Sequence, residues 1–139
     1  MGHVVDTVPS LVERLTVAQR HASQGLARAL AEDGVTVDQW RVLRVLADGE
    51  GHPMGQLAAT LLVPQATLTR LVDSLTDGAL VYRRQSEDDG RRVSVHLSRQ
   101  GQARLVRLDA VVRAHEESLG ADPAWREIAA GLGPCGGTA

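Results

Sequence analysis

The sequence predicts a mainly α fold with one small β-hairpin. Two observations carry this reading. Apolar residues recur at helical spacing through most of the 139 residues, behind recognisable caps. The period then switches to two across residues 80–97, around an Asp-Gly turn.

Each element has its own signal. Ser10-Leu11-Val12-Glu13 reads as a capping box at the head of a first helix. Leu11, Leu15, Ala18, Ala22, Leu26, Ala29 and Leu30 mark its apolar face to about Glu32, and Gly34 ends it. Gly25 inside it marks a close helix contact or a bend. Thr36-Val37-Asp38-Gln39 is a second capping box, followed by Trp40, Leu43, Val45 and Leu46; Gly49 and Gly51 stop that helix. Pro53-Met54 is a short extended link. Residues 56–62 form a short third helix with Leu57, Ala58 and Leu61 inward.

Pro64 opens a fourth helix from its first turn. Leu68, Leu71, Val72 and Leu75 are its buried face, with Gln65, Thr69, Arg70 and Asp73 outside, and Asp77-Gly78 ends it. Residues 80–84 and 93–97 are strands joined by the turn Glu87-Asp88-Asp89-Gly90. Ser98 caps a long helix with Ala103, Leu105, Leu108, Val111 and Val112 on its apolar side. Asp122-Pro123 leads into a last short helix over 125–130, and 131–139 is expected to be a disordered tail.

Composition narrows the function. A hydrophobic share of 43% and a charged share of 23% fit one soluble domain, and no apolar run approaches the ~18 residues of a membrane span. The first residues lack a secretory signal, and Asp6 stands where a myristoylation motif needs Ser or Thr. The single Cys135 excludes an intramolecular disulfide, which suits a cytoplasmic location. The only aromatics are Trp40, Tyr82 and Trp125, too few for a stacking platform that reads RNA. All 15 basic residues are Arg, yet the net charge is −2, so any anion site is local. Arg83, Arg84, Arg91 and Arg92 flank the acidic turn; by strand alternation, at most one of Arg83 and Arg84 faces a ligand laid on the sheet. There is no nucleophile–base motif, no Gly-rich phosphate loop and no spaced carboxylate pair, so an enzyme is not expected. The histidines at 3, 21, 52, 96 and 115 have no paired ligand spacing, and neither a metal nor a cofactor is expected.

Helix, short helix, helix and hairpin in succession make a helix-turn-helix followed by a wing. The second helix of such a unit fits a major groove ~12 Å wide, and the wing carries Arg to the adjacent minor groove. Residues 35–43, 56–61, 67–75 with 78–81, and 89–101 resemble, in order and spacing, the MarR family of bacterial transcriptional regulators. The last stretch matches that family's wing signature, an Asp-x-Arg followed by Leu-Ser-x-x-Gly, here Asp89-Gly90-Arg91 and Leu97-Ser98-Arg99-Gln100-Gly101.

The resemblance implies a single domain over 1–139, with dimerisation helices at 8–34 and 98–131 around a winged helix-turn-helix at 35–97. It implies a homodimeric, ligand-responsive repressor on a pseudo-palindromic operator, with half-sites ~34–36 Å apart. Gln65, Thr67, Thr69 and Arg70 of the fourth helix, with Arg91 and Arg92 of the wing, are the expected DNA contacts, and Asp89 orients Arg91. Family effector pockets lie between the dimerisation helices and the winged helix. Arg14, His21, Arg41 and Arg44 are the candidates to hold an anionic aromatic effector, with Trp40 as a stacking partner. Leu62 stands where Gly is common in the family, and Pro64 and Ala66 stand where hydrogen-bonding residues are common, which thins the phosphate grip there. Two other readings compete: a winged-helix protein-interaction adaptor without specific DNA binding, and a redox-switched repressor using Cys135.

Overall fold

The computed structural model describes Gly2, Val8 and residues 10–86 and 92–132. Asp89, Arg91 and Cys135 lie outside the described residues. Helices α1 (Leu11–Ala31), α2 (Val37–Val45), α3 (Met54–Leu61), α4 (Gln65–Asp77), α5 (Arg99–Gly120) and α6 (Pro123–Leu132) are joined by strands β1 (His52–Pro53), β2 (Val81–Gln85) and β3 (Val93–Leu97). A turn of 3-10 helix, Leu46–Asp48, extends α2 to Gly49.

The predicted caps form with two corrections. Thr36 and Gln39 make both halves of their capping box, at 3.1 and 3.0 Å. Ser10 makes only one half: its Oγ accepts from the Glu13 amide at 3.1 Å. Pro64 is the N-cap of α4 rather than part of its first turn, because its ψ of 149° is extended.

Helices α1, α3 and α4 end alike. Two bonds close each end: Val35 N to Leu30 O with Gly34 N to Ala31 O, Val63 N to Ala58 O with Leu62 N to Ala59 O, and Leu80 N to Leu75 O with Ala79 N to Thr76 O. This closure places a left-handed residue at Gly34, Leu62 and Ala79. The last helix therefore turns at Ala79, one position beyond the predicted Gly78, whose φ is −81°.

The sheet has three strands in the order β1-β3-β2. The hairpin pairs Val81 with Leu97 through Gln85 with Val93. The predicted link at Pro53 is a strand edge instead, His52 opposite Val95 and Pro53 opposite Ser94. Pro53 lacks an N–H and is tolerated there because β1 is an edge.

Aliphatic residues build the core: Leu30, Leu43, Leu46, Leu57, Leu68, Leu75, Leu108, Val42, Val72 and Val95 are essentially sealed from solvent. Ala103 is exposed rather than buried; Gly101 lies inward in its place, against the Leu80 carbonyl and the Leu97 side chain. The stripe on α1 is mostly uncovered. Leu30 is its one buried residue, while Leu11 and Val12 are 71% and 73% exposed. Gly25 marks a close contact: the ring of His115 on α5 packs on it, and His115 Nε2 lies 3.2 Å from Ala22 O. Helix α6 runs through Leu132, past the start expected for the tail.

Candidate nucleic-acid interface

Helix α4 is amphipathic by construction. Leu68, Val72 and Leu75 anchor it, which leaves Gln65, Thr69, Arg70 and Asp73 on the exposed face. Thr67 is half-buried. Thr69 Oγ1 donates to Gln65 O at 3.0 Å, so its hydrogen is used within the helix and its oxygen keeps only acceptor capacity. Arg70 has no hydrogen-bond or ion-pair partner among the described residues.

The wing is locked to this helix. Val81 and Val95 fix the sheet to the core. Arg83 reaches across from β2, and its Nη2 lies 2.5 Å from Asp73 Oδ1 on α4. Ser86 N donates to Arg92 O at 2.9 Å where the hairpin opens, and the Arg92 side chain is exposed. Ser98 holds the other end: its N donates to Leu80 O at 3.0 Å, its Oγ donates to Ala79 O at 2.7 Å and accepts from Gly101 N at 2.9 Å. At the root of the wing, Asp48 Oδ2 lies 2.7 Å from His52 Nε2. The Glu50 amide bonded to Asp48 holds its carboxyl below the usual aspartate range; burial opposes the shift and His52 adds to it. Arg70 and Arg92 are exposed cations of this surface, and Arg83 is paired with Asp73.

The predicted effector residues do not come together. Arg41 lines an open cleft of about 840 Å³ between α1, the start of α2 and the end of α3. It donates to Leu61 O at 2.6 Å and pairs with Asp38 at 3.3 Å. Trp40 and Arg44 face α5 instead, where Trp40 Nε1 meets Asp109 Oδ1 at 2.9 Å and Arg44 meets Oδ2 at 3.2 Å. They line a separate groove of about 200 Å³. Trp40 is thus a packing and hydrogen-bonding residue of the α2–α5 contact. Arg14 and His21 are exposed on α1 and line neither space. The reason is helical geometry: Trp40 and Arg44 are one turn apart on one face, and Arg41 lies ~100° around the helix. Sequence reasoning missed Asp109 and the Asp73–Arg83 pair, because each depends on a partner from another element.

The MarR family profile matches residues 33–92. The repressor YetL of Bacillus subtilis is 34% identical over 74 residues, which are 52% of this chain and 44% of that protein. The chain spans about half the length of the first curated relatives it matches, 44–54%. Over most of its length it is similar to solved structures. A probable transcriptional regulator of Pseudomonas aeruginosa is 30% identical, with 88% of this chain and 96% of that one covered and a TM-score of 0.73. The MarR family protein Rv2887 of Mycobacterium tuberculosis, solved in complex with salicylic acid, is 26% identical, with 92% and 97% covered and a TM-score of 0.76. Its winged helix-turn-helix, the flanking helices and these matches agree, and the chain belongs to the MarR family.

Proposed function

We propose that this chain is a sequence-specific, double-stranded-DNA-binding transcriptional regulator, a repressor that holds a pseudo-palindromic operator as a homodimer and is released by a small effector. The exposed face of α4 beside the wing carries the reading. Arg70 is the right donor for the O6 and N7 of guanine, and Gln65 for adenine. Thr67 and Thr69 add groove or phosphate contacts from the same helix, and Arg92 of the wing adds charge. Arg91 enters the adjacent minor groove, aimed by Asp89. Several curated relatives carry the names of transcriptional repressors, among them YetL and the homoprotocatechuate degradative operon repressor of Escherichia coli.

Two further features support the finer parts. The uncovered apolar half of α1, with Leu11, Val12, Leu15 and Val17, needs a cover, and a second copy supplies one symmetrically. The cleft beside Arg41 has mixed apolar and polar walls and one cation, which is paired with Asp38; a small anionic aromatic molecule would compete for that cation, and the salicylic acid complex of the tuberculosis relative favours the same chemistry. Such an effector acts only by preferring a spacing of the two recognition helices that DNA does not accept.

The test is fluorescence anisotropy of a labelled duplex from the gene's own upstream region at two salt concentrations, with Arg70→Ala and Arg91→Ala alongside. Specific binding that strengthens at low salt and weakens in both variants is expected. Binding no better than to scrambled duplexes, there and across a genome-wide selection, overturns the reading.

A further inference from the structure

The strongest unassigned feature is the ion pair between α4 and the wing. We infer that Arg83 is a phosphate contact of the interface and that Asp73 is the positioning residue that aims it. The inference rests on the DNA-binding reading above.

Asp73 is a poor residue for a groove-facing surface. It lies on the exposed face of α4, one turn beyond Thr69 and two beyond Gln65, where a free carboxylate repels phosphate. It is not free. Val81 and Arg83 share one face of β2 by strand alternation. Val81 is buried against the core, so Arg83, two residues farther out, falls at the rim of α4. The single hydrogen bond to Asp73 uses one of the five donors of the guanidinium. The Arg83 side chain keeps 36% of its surface open, so the pair does not seal it from a ligand.

Location then selects the ligand. The pair bridges the helix that enters the major groove and the strand that leads to the minor groove. The DNA feature between adjacent grooves is the sugar-phosphate ridge, and its oxygens accept from a guanidinium in charge-assisted bonds. Holding the head in place before DNA arrives removes rotamer freedom that a loose Arg would lose on binding. Asp73 therefore helps binding through Arg83 although its own charge opposes it.

The experiment measures operator affinity for the wild type, Arg83→Ala, Arg83→Lys, Asp73→Ala and the double variant at about 50 and 200 mM salt, with thermal melts confirming that each folds. In the homodimer Arg83→Ala removes two phosphate contacts, one per protomer, which lowers the salt slope by about 1.8, so the wild type should lose roughly 12 times more affinity than Arg83→Ala between those salts. Arg83→Lys keeps the charge and should retain the wild-type slope with weaker binding. Asp73→Ala should weaken binding several-fold in the wild type and tighten it in the Arg83→Ala background, where only an unpaired carboxylate is removed. That change of sign is what a mere strut or a simple repulsive charge does not produce. Wild-type salt slope in Arg83→Ala, or tightening by Asp73→Ala in both backgrounds, overturns the inference alone. Absence of salt-dependent duplex binding by the wild type overturns the DNA-binding reading and this inference with it.

Discussion

Trp40 on α2 donates its indole N–H to the Asp109 carboxylate on α5 at 2.9 Å, and Arg44 takes the second oxygen at 3.2 Å. One carboxylate thus ties the first helix of the winged unit to the long C-terminal helix. The indole bond is part-buried, and removing its acceptor leaves a desolvated donor. The Arg44 contact is exposed and contributes little. Asp109→Ala should therefore destabilise the fold by about 2 kcal/mol, and Asp109→Asn, which keeps an acceptor, by less than about 1 kcal/mol. Urea unfolding midpoints decide this. Equal losses in the two variants would mean that charge, not the indole bond, dominates.

Two helical glycines should respond differently to Ala. At Gly25 the added Cβ would lie 2.5 Å from His115 Cε1, a side-chain atom that can swing aside. The helix gains about 1 kcal/mol of propensity, which offsets the displaced ring, so Gly25→Ala should fall within about 1 kcal/mol of the wild type. At Gly101 the obstacle is the Leu80 carbonyl oxygen, which already accepts from Ser98 N at 3.0 Å. Backbone cannot rotate away, and Gly101→Ala should cost about 2–3 kcal/mol or prevent folding. Thermal melts showing the reverse order would refute the packing argument.

Local signals in the sequence are legible and non-local ones are not. The Thr36–Gln39 box, the hairpin and the Ser98 cap are local, set by residues within a few positions, and they stand as read. Strand β1 is two residues paired to a strand 40 positions away, so no window around His52 reveals it. The apolar stripe of α1 is legible in the sequence, as is the shortage of chain to cover it, and Leu11 and Val12 are indeed exposed. The division of the effector candidates has a non-local origin. Arg41 and Arg44 look alike in sequence, yet three residues of helical rotation send one to the cleft and the other to Asp109. Gln65, Thr69, Arg70 and Asp73 were placed outside α4 from the period alone, but the neutralising partner of Asp73 required the fold.

The root of the wing should carry a small acid-sensitive term. The Glu50 amide, with help from His52 and against burial, lowers the Asp48 carboxyl. A depressed folded-state value stabilises the fold above the unfolded value and stops doing so as pH falls through the folded one. The stability difference between wild type and Asp48→Asn should then shrink as pH falls below about 4. Nearly half of the Asp48 side chain is exposed, so the difference is small and is best read from paired urea titrations. A gap that widens on acidification would show that the carboxylate destabilises the wing.

Leu62 offers the opposite case, a position where the native residue is the wrong one for its backbone. Its φ of 56° and ψ of 46° are left-handed, which costs an L-residue about 1–2 kcal/mol. The side chain does not repay this through burial, being 88% exposed. Glycine adopts the same backbone without strain, but it loses about 0.4–1 kcal/mol more entropy on folding. The strain exceeds the entropy, so Leu62→Gly should stabilise the protein by about 0.5–1 kcal/mol and raise the melting temperature by a few degrees. The closing bonds from Leu62 N and Val63 N to Ala59 O and Ala58 O use only backbone and survive the change. Leu62 also lines the cleft beside Arg41, so a stabilised variant with weakened effector response would show that the apolar side chain is kept for the ligand at a cost to the turn. A lower melting temperature would mean instead that the exposed leucine packs on a surface the single chain does not contain, and the oligomeric state of Leu62→Gly by light scattering would then identify it.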